Sequence, residues 1–381
     1  MKVAFSTSVV HRGKTGIAQY VFALTRTLLA SAREHQFTLF VLEEDLPLFD
    51  FAAGLMTLVP VAERFRPALK NIAWHQTVLP RLLRERHIEV CHVPSYRRLL
   101  WPKPCALVAT IHDLAPFHVA GKYDMARMFY GRVIVRALAR RQDEIIAISH
   151  NTARDIDQFF DIPVARQNVI YNGIDHERFR PGDTTQARAE AAARWQLNQP
   201  FFLYISRLEH PGKNHVRVIE AFNRFKASAP SNQQLVFGGS DWFGADVIRA
   251  TAQQSPYAKD IRFLGFVDDA VLSTLYRAAN AVVYPSLYEG FGFPPIEAMA
   301  CGCPAISSTR GSLGEVVADA AAIVNPENVD EIAAAMQRVT TDMAWREQLR
   351  EAGFRNARRF DWQRNAAELL RVYAKALEKK P

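Results

Sequence analysis

The chain has 381 residues, 49% hydrophobic and 23% charged, which fits a soluble globular protein of about two domains at the usual ~100–200 residues each. No run of ~18 or more apolar residues occurs, and Met1-Lys-Val-Ala-Phe5 reads straight into a strand, so a cytoplasmic protein is expected, at most peripheral to the inner face of the cell membrane. The net charge of +8 is uneven: residues 63–141 hold 15 Lys/Arg against 5 Asp/Glu, which suits an anionic lipid or phosphate-bearing acceptor, or an ordinary solvated face, and no nucleic-acid motif accompanies it.

In chain order, a strand pattern from Lys2 to Val9 leads through a turn to a helix over 16–30, where Ile17, Val21, Leu24 and Leu28 recur at helical spacing. Further strand-like runs lie at 37–42, 88–93, 107–111, 145–148 and 169–171, with helix-like stretches near 71–86, 124–140 and 150–160. The alternation predicts a doubly wound, Rossmann-like domain over 1–175. Turn residues from Asn172 to Gly182 and a polar, Ala-rich stretch place a linker at 176–200. The pattern then restarts with strands at 201–205, 235–237, 261–264, 281–284 and 304–307, and helices from Lys213, near 245–254 and from Asp268. This second Rossmann-like domain covers 201–360, and a last helix within 361–381 is expected to return to the first domain. The fold class is α/β, with ligands at the carboxyl ends of parallel strands.

Several candidates fall at strand ends. Gly16 opens the first helix, where backbone amides can approach a phosphate, although a plain helix-start glycine is the alternative. Gly13-Lys14-Thr15 imitates the end of a P-loop, but that motif needs glycine at position 8, which is Ser8. His112, beside Asp113, follows a strand and suits either a structural hydrogen bond or ligand contact. Asp155 and Asp157 are two apart on a helix, on different faces, and read as helix surface rather than a metal site. Arg207 and Lys213 flank a strand-to-helix loop, two cations suited to a diphosphate or simply to solvent. Gly238-Gly239 ends another strand beside which a nucleotide would lie, with 263–267 framing its base. The four cysteines are expected to be reduced, and Cys301-Gly-Cys303, lacking a second ligand pair, reads as packing.

The most informative stretch is Glu289-Gly-Phe-Gly-Phe-Pro-Pro-Ile-Glu297. Glycines 290 and 292 let the backbone press against a ligand, and Pro294-Pro295 suit a first helical turn. Glu297 is expected in that first turn, as a cap or hydroxyl acceptor, and Glu289 on the loop, where a carboxylate is either solvated or ligand-facing.

These two glutamates seven residues apart resemble the signature of retaining family-four glycosyltransferases of GT-B fold, nearest to the bacterial mannosyltransferase-like branch. The resemblance extends from about Lys2 to the last helix, carried by Gly16–Tyr20, Thr110–Leu114, Asn172–Asp175, Arg262–Gly265 and Ser286–Gly302. It implies two Rossmann-like domains facing across a cleft and a hexosyltransferase that needs no metal and no cofactor, its nucleotide-sugar donor being a substrate. The implied catalytic residues are His112, which touches the donor sugar, Glu289, and Arg207 with Lys213, which stabilise the departing diphosphate. Donor binding would use Gly16, Arg207, Lys213, Gly238 and Glu289, the backbone at Phe291, Gly292, Phe293 and Pro294, and Glu297 on the ribose. The expected reaction moves mannose from GDP-mannose onto a growing bacterial polysaccharide, such as lipopolysaccharide, or a lipid-linked oligosaccharide. His210-Pro-Gly212 departs from the family pattern, which carries a basic residue just before the lysine. The alternatives are a sugar-nucleotide isomerase of similar shape, a P-loop NTPase and a non-catalytic sugar-nucleotide binder.

Overall fold

A computed structural model describes residues 1–13, 16–31, 33–118 and 130–379. The chain forms two compact units, Met1–Gly173 with Trp362–Pro381, and Ile174–Asp361.

In the first unit, β1 (Lys2–Ser6), β2 (Gln36–Leu42), β3 (Thr57–Val61), β4 (Val90–Val93), β5 (Ala106–Ile111), β6 (Glu144–Ala147) and β7 (Gln167–Val169) form one parallel sheet in the order β3-β2-β1-β4-β5-β6-β7. Every residue of β4, β5 and β6 is buried, as expected of apolar strands covered on both faces. The order reverses between β1 and β4, opening a crevice at their carboxyl ends. The helix Gly16–Leu28 buries Tyr20, Val21, Leu24 and Leu28 against the sheet, and the helix Trp362–Glu378 adds Leu369, Val372 and Tyr373 to the same core. Burial of Leu369 and Val372 contributes ~1.5–3 kcal/mol each. That last helix is also tied polarly, by Tyr373 Oη to His92 Nδ1 at 2.8 Å and Lys375 Nζ to the fully buried Glu144 at 3.0 Å.

The second unit has β8 (Phe201–Ile205), β9 (Gln234–Gly238), β10 (Ile261–Phe263), β11 (Ala281–Tyr284), β12 (Ala305–Ser307) and β13 (Ala322–Ile323), again parallel, in the order β10-β9-β8-β11-β12-β13. Here the reversal falls between β8 and β11.

Some expectations need correction. Residues 176–200 are part of the second unit rather than a linker. Asp183 caps the helix Thr184–Trp195 by accepting from Thr185 N and Gln186 N, and the helix packs through Ala187 and Ala191 near the helix Asp269–Ala278. Small alanines gave it little amphipathic signature. β3 escaped the reading because Pro60 argues against a central strand, and β3 is an edge. The helix expected at 71–86 is two, Ala68–Thr77 and Leu79–Glu85, since Pro80 cannot donate back to the preceding turn. Of the helix expected at 124–140, residues 124–129 lie outside the described residues, and Tyr130–Val135 is a π-helical turn leading into Arg136–Ala139.

Candidate active site

The site in the second unit is built by the two loops that leave β8 and β11 at the reversal of the sheet. Asn214, in left-handed backbone with φ 63°, ends the first loop and donates through Nδ2 to Pro285 O at 2.9 Å and Pro326 O at 2.6 Å. Leu287 N reaches Gly212 O at 3.0 Å. So pinned, the loops bring Lys213 Nζ within 2.6 Å of Glu289 Oε1, with only 18% and 11% of the two side chains exposed. Tyr284 Oη donates to the same carboxylate oxygen at 2.9 Å. Arg207 lies on the same loop as Lys213, half-exposed, 3.1 Å from Glu209 and with its guanidinium 4.8 Å from the Trp242 ring centre.

Past Glu289 the chain turns at Gly292, whose φ of 97° suits glycine and where a Cβ would stand 2.5 Å from Leu313 Cδ2. Gly292 caps the helix Phe293–Ala300, so Pro294 and Pro295 are its second and third residues. Pro294 has no amide hydrogen, which corrects its assignment as a backbone donor: Phe291, Gly292 and Phe293 are the amides of this stretch, at a helix start where N–H groups lack intrahelical acceptors. Ser312 Oγ holds the turn, donating to Glu289 O at 3.0 Å and Phe291 O at 2.9 Å. Glu297 is not in the first turn as expected but one position beyond it, because the helix already starts at Phe293, ahead of both prolines. It accepts from Tyr276 Oη at 2.9 Å, and burial pushes its carboxyl up to about 7, against the Tyr276 hydrogen bond and with Asp269 adding to the rise.

Gly238 is the last residue of β9, where a Cβ would meet the end of the Ile205 side chain, Cδ1, at 2.7 Å, so packing favours glycine there. Gly239 N bonds Gly265 O at 2.7 Å, joining the loops after β9 and β10. In the first unit Gly16 is exposed, with open space among the described residues where a Cβ would stand, so none of them demands its glycine. Lys14 and Thr15, the imitation P-loop, lie outside the described residues. His112 follows β5, its ring edge-on to Tyr20 with centroids 4.6 Å apart. Burial pushes its imidazole down to about 4, and a hydrogen bond with the Pro94 backbone opposes this. Its Nε2 has no partner among the described residues, so the Pro94 bond belongs to Nδ1–H, and Nε2 is a neutral acceptor at pH 7.

Residues 186–356 match the family model Glycosyl transferases group 1, and residues 14–178 match Glycosyltransferase Family 4. The chain belongs to the GT-B glycosyltransferases. It is 28% identical to O-antigen chain mannosyltransferase B of Escherichia coli across 98% of this chain and 99% of that one. Among solved structures, sucrose-phosphate synthase from Thermosynechococcus elongatus superposes with a TM-score of 0.79 at 22% identity over the full length of both chains. Anabaena HepE in complex with UDP-glucose gives 0.77 at 18% identity, covering 98% of this chain and 99% of that chain. These likenesses show the same fold: two parallel-sheet α/β domains.

Within this glycosyltransferase, sequence reading missed the groups that hold the loops. Tyr284 is the last strand residue, Tyr276 lies in a helix, and Asn214 and Ser312 carry no motif of their own; only the convergence of chain segments exposes them. Asp155 was expected on the helix surface but is buried, 2.9 Å from His118 Nε2. Cys301 and Cys303 are buried free thiols. Among the described residues, no three His, Cys, Asp or Glu side chains converge as a metal site, and no helix is long and apolar enough to cross a membrane. The basic region is partly neutralised: Arg66 pairs with Asp45 and Glu63, and Arg136 and Arg140 both pair with Asp161.

Proposed function

We propose that this glycosyltransferase moves mannose from GDP-mannose onto a growing bacterial polysaccharide or lipid-linked oligosaccharide, with retention of anomeric configuration. The observation that carries this reading is the Lys213–Glu289 pair at the reversal of the second sheet. A cation and a carboxylate side by side suit a ligand with a diphosphate at one end and sugar hydroxyls at the other. Mannose and a polysaccharide acceptor are supported by the name of the full-length Escherichia coli relative.

In this reading Lys213 and Arg207 take the diphosphate, Glu289 and the amides of Phe291, Gly292 and Phe293 take the sugar, Glu297 takes the ribose, and neutral His112 accepts from a sugar hydroxyl. Charge on the diphosphate grows as the glycosidic bond breaks, so fixed cations and helix-start amides stabilise the transition state more than the bound donor. Lys213 and Arg207 fill the role a divalent ion plays elsewhere. The acceptor hydroxyl attacks from the face the diphosphate leaves, and its proton passes to the leaving oxygen as that oxygen becomes more basic. Contact with an anionic membrane belongs to the same proposal, through cations of the 63–141 region such as Lys70, which follows the exposed Leu69. Lys70→Glu with Leu69→Ser should weaken flotation with phosphatidylglycerol vesicles by at least ~30-fold, since the reversal changes two charges at ~1 kcal/mol each near such a surface; unchanged flotation removes that part.

The donor is tested by thermal shift with GDP-, UDP-, dTDP- and ADP-sugars on wild type and Glu297→Ala. GDP-mannose should stabilise the wild type, by ~2.7 kcal/mol at 100 times its Kd, and lose that effect in the variant. Stabilisation by another nucleotide alone would replace the donor, and stabilisation that survives Glu297→Ala would remove the ribose role.

A further inference from the structure

The first sheet has its own reversal, between β1 and β4, and Arg98 stands on the turn Tyr96–Arg98 just beyond β4. Its side chain is half-buried. Nε donates to Asn71 Oδ1 at 2.5 Å and Nη1 to Arg97 O at 3.2 Å, while Nη2 has no partner among the described residues. The floor beneath is polar but uncharged: Ser8 Oγ bonds Asn71 Oδ1 at 3.3 Å and approaches Ser6 Oγ at 3.4 Å, and Ser6 Oγ meets His75 Nε2 at 2.7 Å. Burial pushes the His75 imidazole down to about 3, leaving it neutral.

Arg66 provides the contrast. It too is only partly exposed, and it is matched by Asp45 at 3.1 Å and by Glu63. Arg98 faces no carboxylate among the described residues; burial lowers its proton affinity, Tyr130 opposes this and the neighbouring cation Arg97 adds to it. A guanidinium taken partly out of water without a counter-charge is costly. It stands where a doubly wound sheet receives ligands, with a planar fork suited to two oxygens of one oxyanion.

We propose that Arg98, supported by Asn71 and Ser8, binds a phosphate or diphosphate group carried by the acceptor. This rests on the transferase reading above and specifies its acceptor as a phosphorylated molecule.

The test uses the full chain with Arg207→Ala and Lys213→Ala, which silence the donor cations, titrated calorimetrically with inorganic pyrophosphate. One binding event should remain, and adding Arg98→Gln should weaken it by at least ~10-fold, the loss of one charge-assisted hydrogen bond. Arg98→Lys keeps the charge without the fork and should fall between them, which separates loss of the site from loss of the fold. Binding indifferent to both Arg98 variants, or no binding once the donor cations are gone, would overturn the proposal. Wild type that loses nothing on Arg207→Ala and Lys213→Ala would instead count against the donor reading. Where the Arg98 event is present, competition by geranylgeranyl diphosphate in detergent indicates a lipid-linked acceptor, and competition by mannose 6-phosphate a soluble phosphosugar.

Discussion

Replacing Glu289 by Gln should separate two affinities that ordinarily move together. In the free protein Lys213 already has a partner, Glu289 Oε1 at 2.6 Å, so a diphosphate arriving at Lys213 meets a carboxylate on the far side of the ammonium. A phosphate and a carboxylate gripping one ammonium stand about 5–6 Å apart, a repulsion of ~3 kcal/mol at an effective dielectric of ~20, and water and salt reduce it to ~1–2 kcal/mol. Glutamine keeps the shape and can still accept from Tyr284 Oη, but removes the charge. Free nucleoside diphosphate should therefore bind Glu289→Gln more tightly than wild type, by ~5- to 30-fold. Sugar transfer should fall at least ~10-fold, since a neutral amide accepts sugar hydroxyl bonds less strongly than a carboxylate. Calorimetric titration with GDP, alongside transfer from GDP-mannose, reads both quantities. Weaker GDP binding in the variant would refute the idea that Glu289 and the diphosphate share Lys213.

The Glu297 carboxyl rises from 4.5 to about 7, so the folded state holds its proton more tightly than the unfolded chain. The stability this contributes, on the order of 2–3 kcal/mol, is fully present below pH ~4.5 and lost as pH rises through ~7, so Glu297→Gln should flatten the decline seen by urea denaturation across that window. Nucleotide-sugar affinity should rise between pH 6 and 8 in wild type, as the ribose-accepting carboxylate forms, and stay level in Glu297→Gln. Gly292→Ala combines a φ of 97° with a Cβ 2.5 Å from Leu313 Cδ2, which should cost ~1–3 kcal/mol by urea denaturation and weaken donor binding, with Leu313→Ala relieving only the steric part. Glu144→Ala removes the buried anchor of Lys375 and should loosen the helix Trp362–Glu378, losing ~1–3 kcal/mol and exposing that helix to limited proteolysis.

Most of the doubly wound pattern could be read from the sequence because parallel strands buried on both faces are short apolar runs bounded by turn residues. β11 and the loop after it were the clearest case, since Pro285, two glycines and two prolines punctuate them. Failures came where punctuation was ambiguous or composition bland. Two adjacent prolines suit a first helical turn, but the helix takes up Phe293 before them, and that one earlier residue moves Glu297 out of the turn. Pro60 disguised an edge strand, and β13 is only two residues long. The basic face looked more exposed than it is because Asp45 and Asp161, which pair with Arg66 and with Arg136 and Arg140, lie outside residues 63–141. By sequence Arg98 is one arginine among many there; only its contacts distinguish it from Arg66. Which loops meet at a sheet reversal depends on strand order, and one sequence carries that information weakly.

Acceptor-dependent release of nucleoside diphosphate, measured for wild type and Lys213→Ala with GDP-mannose and a mannoside acceptor, bears most directly on the Lys213–Glu289 junction as the transfer site. Wild type should release GDP only when acceptor is present, with an α-mannoside product of retained configuration, and Lys213→Ala should release it at least ~100-fold more slowly, as when a group stabilising transition-state charge is lost. Release at an undiminished rate by Lys213→Ala would contradict that site, and an inverted product would contradict same-face attack.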